Sequence, residues 1–178
     1  MKRALAYFAA GFAFLLVQTA LLPALLPWAL KPDLLLILVI YLGLNEDSLR
    51  GGIIAYGLGF LTDAMAGGLF GLHGFALLVT FFAVRGASGR LNTESSLLLL
   101  MLTFFGTFVE GGLLAFSVGF MADAGTLWSF ILGGLGAQAL INLFAALVLL
   151  KGLVPLQRRL APRAGIPGLR HLDRRYES

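Results

Sequence analysis

The sequence predicts an all-α integral membrane protein, a bundle of six transmembrane helices, and three observations support that prediction. Apolar residues make up 59% of the 178 residues and charged residues only 12%, whereas soluble domains average about 45–50% and about 25%. A chain of this length cannot bury so much apolar surface in its own interior, which leaves lipid as the solvent for the rest. The apolar residues also fall into six blocks that Pro, Gly or polar turns separate.

The six blocks are predicted to form one transmembrane domain over residues 1–153, followed by a basic tail over residues 154–178. The predicted spans are residues 4–22, 32–44, 51–66, 69–84, 95–120 and 126–150. The first is expected to be a retained helix rather than a cleaved signal peptide, because it is longer than a usual signal core and has no clear cleavage site. The second opens on Pro32 and Asp33, a proline suited to the first helical turn and an acid suited to the positive helix terminus.

Spans two to four are shorter than the roughly 20 residues that cross a bilayer. Tilted neighbours or local thinning of the bilayer would accommodate them. A five-span alternative, in which one short block is fused or demoted, stays open at this point.

The basic residues predict the orientation. If the N-terminus is cytoplasmic and six helices alternate, twelve of the thirteen basic residues lie on the cytoplasmic side and Lys31 alone lies outside. This bias is the one that the positive-inside rule describes, so both termini are predicted to be cytoplasmic. The net charge of +4 therefore reports orientation, and no motif points to a nucleic acid.

Half of those basic residues are arginines of the tail. They are Arg158, Arg159, Arg163, Arg170, Arg174 and Arg175. The tail is interpreted either as a solvated topology anchor or as a contact for anionic lipid or a cytoplasmic partner. Its three prolines, Pro155, Pro162 and Pro167, argue against one long amphipathic helix.

A row of small residues at four-residue spacing marks the third span and ends on an acid. The row is Gly51, Ala55, Gly59 and Asp63, and it continues to Gly67 beyond the predicted helix end. Such a face packs closely against another helix. An ionisable group at membrane depth needs a partner, and two alternatives are open for Asp63. It either pairs with His73, which an antiparallel hairpin brings to the same depth, or caps the turn by accepting from backbone N–H groups between Gly67 and Gly71.

A second polar seam is predicted between the fifth and sixth spans. Hairpin geometry brings Thr107 and Glu110 on one helix to the depth of Gln138 and Asn142 on the other. Amides and hydroxyls at such positions hydrogen-bond between helices. Glu110 is interpreted as part of this interhelical seam, and a proton-relay or ion site is the functional alternative.

The sequence contains no grouping that predicts catalysis. Nucleophile-elbow, zinc-protease and phosphate-loop motifs are missing. The chain has no Cys and two His, which argues against thiolate or His-rich metal centres. We therefore expect a protein that is not an enzyme and that uses no metal or cofactor.

Two stretches in fixed order resemble one membrane protein family. The first is Lys31-Pro32-Asp33-Leu34-Leu35-Leu36-Ile37-Leu38-Val39. The second is Gly57-x-Gly59-Phe60-x-x-Asp63, followed by Gly67-Gly68 and by Gly71-Leu72-His73-Gly74. A Pro-Asp helix opening, a Gly-rich helix that ends in Asp and a Gly eight residues later resemble the bacterial rod shape-determining protein family MreD. Ala55-Tyr56 departs from the Gly-aromatic pair of that pattern but keeps the first position small.

The resemblance implies a non-enzymatic scaffold subunit of the cell-wall elongation complex in the bacterial inner membrane. It implies binding to MreC, a single-pass coiled-coil protein, and through it a link to the RodA-type polymerase, its penicillin-binding transpeptidase and MreB filaments. It also implies a fold similar to the six-helix substrate-binding subunits of energy-coupling-factor vitamin transporters.

The residues themselves leave two function classes open. As a scaffold, the protein would offer a small-residue face to a partner helix or to a second copy of itself. The two faces considered are Gly51 to Gly59 and the row Thr107, Gly111, Ala115 and Gly119. The alternative is a small-molecule-binding subunit of a vitamin-type transporter, which needs convergent polar groups in a roomy outward pocket.

Overall fold

The computed structural model describes residues 2–25, 31–66, 70–88, 96–122 and 127–160, and these residues form six helices. Helix α1 comprises Lys2–Leu16, a π-helical turn Val17–Leu21 and a last turn Leu22–Leu25. The others are α2 (Leu34–Asn45), α3 (Ser48–Ala66), α4 (Leu72–Ser88), α5 (Ser96–Ala122) and α6 (Leu127–Leu160). The all-helical class and the number of helices fit the predicted bundle.

Helix α2 is the centre of the bundle. Ten of its twelve residues are buried, as expected for a helix that is apolar on every side. It is only about 18 Å long at 1.5 Å per residue. Glycines let neighbours close in on it: a Cβ on Gly106 of α5 would lie 3.0 Å from Ile40 Cδ1. The apolar core therefore surrounds a helix shorter than the hydrocarbon layer, which is roughly 30 Å thick.

The π-helical turn in α1 precedes Pro23. This proline has no N–H to donate to the carbonyl four residues earlier. Across the turn the Leu22 N–H bonds to the Val17 carbonyl five residues back, and the Thr19 hydroxyl donates to the Leu15 carbonyl at 2.7 Å. These bonds satisfy carbonyls that a regular α-helix would have paired otherwise, and α1 continues to Leu25, past the predicted end of the first span at residue 22.

Helices α3 and α4 form an antiparallel pair whose two ends pack differently. At the end that carries Asp63, hereafter the Asp63 end, a Cβ on Gly59 would lie 2.5 Å from the His73 carbonyl oxygen and 2.6 Å from Gly74 Cα. At the opposite end, hereafter the Arg50 end, the buried ring of Phe81 lies directly on Gly51. The small face of α3 is thus packed inside the molecule, against α4.

Helices α5 and α6 are the longest and extend past α2 at the Asp63 end. The Asp33 N–H at the start of α2 bonds to Asn142, fifteen residues into α6. Helix α6 also continues to Leu160, beyond the predicted span end at residue 150 and through Pro155. Pro155, one of the three prolines that argue against one long amphipathic helix in the tail, therefore lies within α6, since a 34-residue helix tolerates the loss of one hydrogen bond.

Three stretches of the described residues are long and apolar enough to cross a membrane: Ala4–Ala24, Ser96–Ser117 and Gly133–Lys151. Leu34–Asn45 and Leu72–Ser88 are shorter apolar helices. These short helices lie between the long ones, so a crossing by all six helices stays a prediction.

We expect Gly59→Ala to destabilise the protein by roughly 1–3 kcal/mol, because its Cβ would press on backbone atoms that cannot rotate away. Gly57→Ala is the matched control on the same helix, since its Cβ would lie 3.5 Å from Phe8 Cε2, an ordinary contact. Thermal unfolding in detergent should rank Gly59→Ala well below wild type and Gly57→Ala at or above it. Equal melting temperatures for the two variants would contradict the close backbone contact.

Candidate functional site

Two groups of polar contacts, each centred on a buried side chain, lie toward the Asp63 end of the bundle. The first, hereafter the Asn142 cluster, comprises Asp33, Asn142, Gln138 and Thr107. The second, hereafter the Asp63 turn, comprises Asp63, Gly71, His73 and Gly74. Asn142 and Asp63 are each 1% exposed. Polar groups removed from water this far need partners, and in both groups the partners belong to other helices or to a helix terminus.

The Asn142 side chain joins three helices. Its Oδ1 accepts from the Asp33 backbone N–H at 2.7 Å, and its Nδ2 donates to Thr107 Oγ1 at 3.0 Å. The Thr107 hydroxyl in turn donates to the Thr103 carbonyl at 2.8 Å. Because a backbone N–H can only donate, the Asn142 atom that faces it must be the oxygen. The amide thereby fixes the register of α2 against α5 and α6.

The start of α2 is satisfied within the protein. The Asp33 side chain caps it by accepting from the Leu36 N–H at 3.0 Å. Gln138 Nε2 donates to the Lys31 carbonyl at 2.8 Å and to Asn142 Oδ1 at 3.2 Å. The first N–H groups of a helix have no partners within it, and lipid offers none. The cluster supplies these partners.

The sequence predicted the seam between α5 and α6 but not its pairing. Glu110 is buried at 4% exposure, and its carboxyl lies within electrostatic range of Asp33. The amide at the expected depth, Gln138, donates to the Lys31 carbonyl before α2 and to Asn142 rather than to Glu110. The pair that bridges the two helices is Thr107 with Asn142. A proton-relay role for Glu110 stays a prediction.

The Asp63 turn combines the two alternatives considered for Asp63. Its Oδ2 accepts from the N–H groups of Gly71 at 2.9 Å and Gly74 at 3.3 Å. Its Oδ1 accepts from the His73 N–H at 3.1 Å and lies 2.7 Å from His73 Nδ1. The carboxylate caps the start of α4 and also binds the ring, so capping and pairing occur together.

The local sequence explains why the chain can fold this way. Gly71 has φ of +91°, a backbone conformation that glycine adopts without strain. Gly74 lets α4 touch α3 at Gly59. An acid at the end of α3 then lies opposite the exposed N–H groups of α4, where the helix dipole favours negative charge.

Several residues that the sequence predicts as site residues lie outside these two groups. Gly67 and the arginines 163, 170, 174 and 175 lie outside the described residues. Arg158 and Arg159 lie in the last turns of α6. Gly51 and Ala55 are buried against α4 rather than exposed to a partner, so that face cannot serve as a docking groove. The second small face is also internal, since Gly111 lies against Leu135 of α6.

Sequence reasoning missed two members of the polar network. Asp33 entered only as a helix opening, although its backbone and side chain close the Asn142 cluster. Gln18 of α1 was not singled out, although its side chain lies near the Asp33 carboxyl and its Oε1 is buried with no hydrogen-bond partner among the described residues. The available signal was a single amide within an otherwise apolar run, which in a membrane helix points to a polar partner.

These contacts hold helices together. The oxygens of Asn142 and Asp63 accept hydrogen bonds from N–H groups at helix termini. Within the described ranges, no group of three His, Cys, Asp or Glu side chains is placed to hold a metal ion. The fold and the site define a helical membrane protein in which the buried Asn142 and Asp63 side chains join helices and cap helix termini.

Comparison with known families identifies this one. The family model of the rod shape-determining protein MreD matches residues 2–158, so the chain belongs to the MreD family and has a role in rod shape determination. No curated protein and no solved structure matches it. The predicted likeness to vitamin-transporter subunits therefore stays a prediction.

We expect Asn142→Leu to cost about 1–3 kcal/mol, because the Asp33 N–H and the Thr107 hydroxyl would lose their buried partner. Thr80→Val is the control: this hydroxyl is equally buried but bonds only the carbonyl of its own helix, four residues back, at 2.9 Å. Unfolding in a detergent titration should separate the two variants. A loss for Thr80→Val as large as that for Asn142→Leu would mean that the amide does not join the helices.

Two substitutions in the Asp63 turn distinguish the capping of helix α4 from the pairing of Asp63 with the His73 ring. Asp63→Asn turns one acceptor oxygen into a donor facing N–H groups, so we expect a loss of about 2 kcal/mol or more. His73→Asn removes the ring contact but leaves the three backbone N–H bonds of Asp63, so its loss should be under about 1 kcal/mol. Unfolding midpoints of the two variants test this order. If His73→Asn is the more damaging change, the ring and not the cap holds the turn.

Proposed function

We propose that this protein is a non-enzymatic scaffold subunit of the bacterial cell-wall elongation complex that binds MreC, a single-pass coiled-coil protein. Family membership supports a role in rod shape. The observation that carries the scaffold proposal is that the buried Asn142 and Asp63 side chains bond to helix termini and to neighbouring helices. Such a core resembles a rigid support more than a binding pocket.

The proposed orientation has both termini in the cytoplasm and several passes through the inner membrane. Twelve of the thirteen basic residues then lie on one side, in line with the positive-inside rule. In this orientation the Asp63 end faces outward and the Arg50 end faces the cytoplasm. The basic tail would lie at the inner surface, near anionic lipid or MreB filaments.

We propose the outward face of α6 as the surface for the partner's helix. Small residues allow two helices to approach closely in a membrane, and a Cβ on Gly133 or Gly136 would meet nothing within 4 Å. Both glycines are exposed. Two further residues of α6, Leu140 and Phe144, are 61% and 69% exposed and continue the same face at helical spacing.

This face is favoured over the two small-residue rows that the sequence suggested. Gly59 is pressed against Gly74, and Gly111 against Leu135. Both glycines are already packed against neighbours within the monomer, so a partner would have to break these contacts to reach them. The α6 face requires no such rearrangement. Association with the RodA-type polymerase, its penicillin-binding transpeptidase or a second copy of the chain would then run through MreC or other outward faces.

We expect Gly136→Leu to reduce co-purification with MreC by roughly tenfold, or about 1.4 kcal/mol, because the side chain would hold the two helices apart. Gly86→Leu is the matched control, since Gly86 is also exposed and a Cβ there meets nothing within 4 Å. Affinity capture from membranes is the measurement, with rod shape in a depletion strain as the second readout.

Both variants should fold, because leucine is the better helix former at an exposed site. Loss of capture by Gly136→Leu alone supports the α6 face. Full capture by both variants would contradict this face while leaving the scaffold role open. Wild-type protein that neither captures MreC nor restores rod shape would contradict the scaffold role itself.

A further inference from the structure

The Glu110 carboxyl is buried, at 4% exposure, and among the residues that the structure describes it has no hydrogen-bond partner. Asp63 is buried to a similar degree, but its oxygens receive three backbone N–H groups and lie against the His73 ring. A carboxylate taken out of water without such partners is costly, and hydrocarbon supplies none. Glu110 therefore needs a ligand that the other contacts of the bundle do not provide.

The hydrogen bonds of the Asn142 cluster place Glu110 beside Asp33. Thr107 and Glu110 are three residues apart on α5, so their side chains share one face of that helix. Asn142 bonds to Thr107 and also to the Asp33 backbone N–H, which brings this face of α5 to the start of α2. The Asp33 carboxyl accordingly lies within electrostatic range of Glu110. Two acids from two helices thus meet where α2 begins.

The side chains that face the pair from α4 and α1 do not neutralise Glu110. His73 of α4 is within electrostatic range of Asp33, but its ring is already bound to Asp63 at 2.7 Å. Gln18 of α1 lies near the Asp33 carboxyl, and its buried Oε1 has no partner in the described part of the chain. This oxygen adds one more acceptor to a place that already holds two carboxyls. The surroundings lack donors rather than acceptors.

Helix α6 contributes neutral amides to the same place. Gln138 donates to the Lys31 carbonyl, and the Asn142 oxygen accepts from the Asp33 N–H. Within the described ranges, the charge that acts on Glu110 is that of Asp33. Two carboxylates that share a site repel each other, so they do not both ionise.

We propose that Glu110 and Asp33 hold one proton between them, with the Glu110 hydroxyl donating to the Asp33 carboxylate. The inference is independent of the scaffold proposal. A proton removes both difficulties at once, because a neutral acid tolerates burial and its O–H supplies the missing donor. The Asp33 carboxylate can accept this bond in addition to the Leu36 N–H, since a carboxylate has about four acceptor sites.

The shared proton makes Glu110 a further link between α5 and the start of α2. The existing link through Thr107 and Asn142 contains no ionisable group, so it is insensitive to pH. The link through Glu110 is lost when the proton leaves. Because the folded protein then holds a proton that the unfolded chain releases, its stability falls as the pH rises. The cap of the central helix is thereby coupled to proton concentration.

Infrared spectroscopy of the full-length protein in detergent tests the proton directly. At neutral pH the wild type should show the C=O stretching band of a protonated carboxylic acid, and Glu110→Gln, which is neutral and of the same shape, should lack it. Asp33→Asn should keep this band and shift it, because the acid loses its carboxylate acceptor. An identical band in wild type and Glu110→Gln would overturn the proton on Glu110. An unshifted band in Asp33→Asn would overturn the hydrogen bond, and that comparison stands even if Glu110→Gln does not fold.

Unfolding as a function of pH provides the second measurement, made in a His73→Asn background that removes the nearby titrating ring. Above the ordinary range of a glutamate, the unfolding equilibrium constant relative to that of Glu110→Gln should rise about tenfold per pH unit while the proton is held. A ratio that does not change with pH would overturn the shared proton. A ratio that instead depends on replacing choline chloride by sodium chloride at fixed pH would identify a bound sodium ion as the ligand and would equally overturn it.

Discussion

The hydrogen bond between the Asp33 N–H and the Asn142 oxygen is the constraint on which the rest of this bundle depends. Helix α2 is apolar on every side and only twelve residues long, and its start lies against α6 at Asn142, fifteen residues from the beginning of that longer helix. The unpaired N–H groups at that start need protein acceptors, since hydrocarbon has none. Asn142 supplies one and at the same time bonds to Thr107. One amide thus satisfies the central helix and sets the register of the two long helices around it.

The first N–H groups of α4 also need acceptors, and the Asp63 carboxylate supplies them. Asp63 receives three backbone N–H groups and the His73 ring, which requires α3 and α4 to meet closely at Gly59 and Gly74. At the other end of the same pair the Phe81 ring, rather than backbone, lies against Gly51.

How far the sequence predicts this arrangement depends on the range of each interaction. Local and periodic signals suffice for the helices, for the close packing of Gly59 and for the contact of Asp63 with His73, because a tight turn fixes which residues of a hairpin meet. The same hairpin reasoning placed Glu110 at the depth of Gln138 and was not sufficient, since Gln138 donates to the Lys31 carbonyl just before α2, more than one hundred residues earlier in the chain. Nor does a small-residue row say whether its neighbour is a helix of the same chain or a partner. Gly51 and Gly111, one from each row, pack against neighbours within the monomer.

That last distinction bears on how a scaffold of this kind works. A helix face that is already used to close the monomer cannot also recruit a partner without unfolding part of the bundle. In the proposed scaffold role, recognition would use surfaces that the core leaves outward, where a residue such as Gly136 would set how closely another helix approaches. A change at such a position would alter binding while the Asn142 cluster and the Asp63 turn stay intact. The polar contacts that join the helices and the exposed glycines of the apolar exterior therefore separate the stability of the protein from its proposed role in assembly.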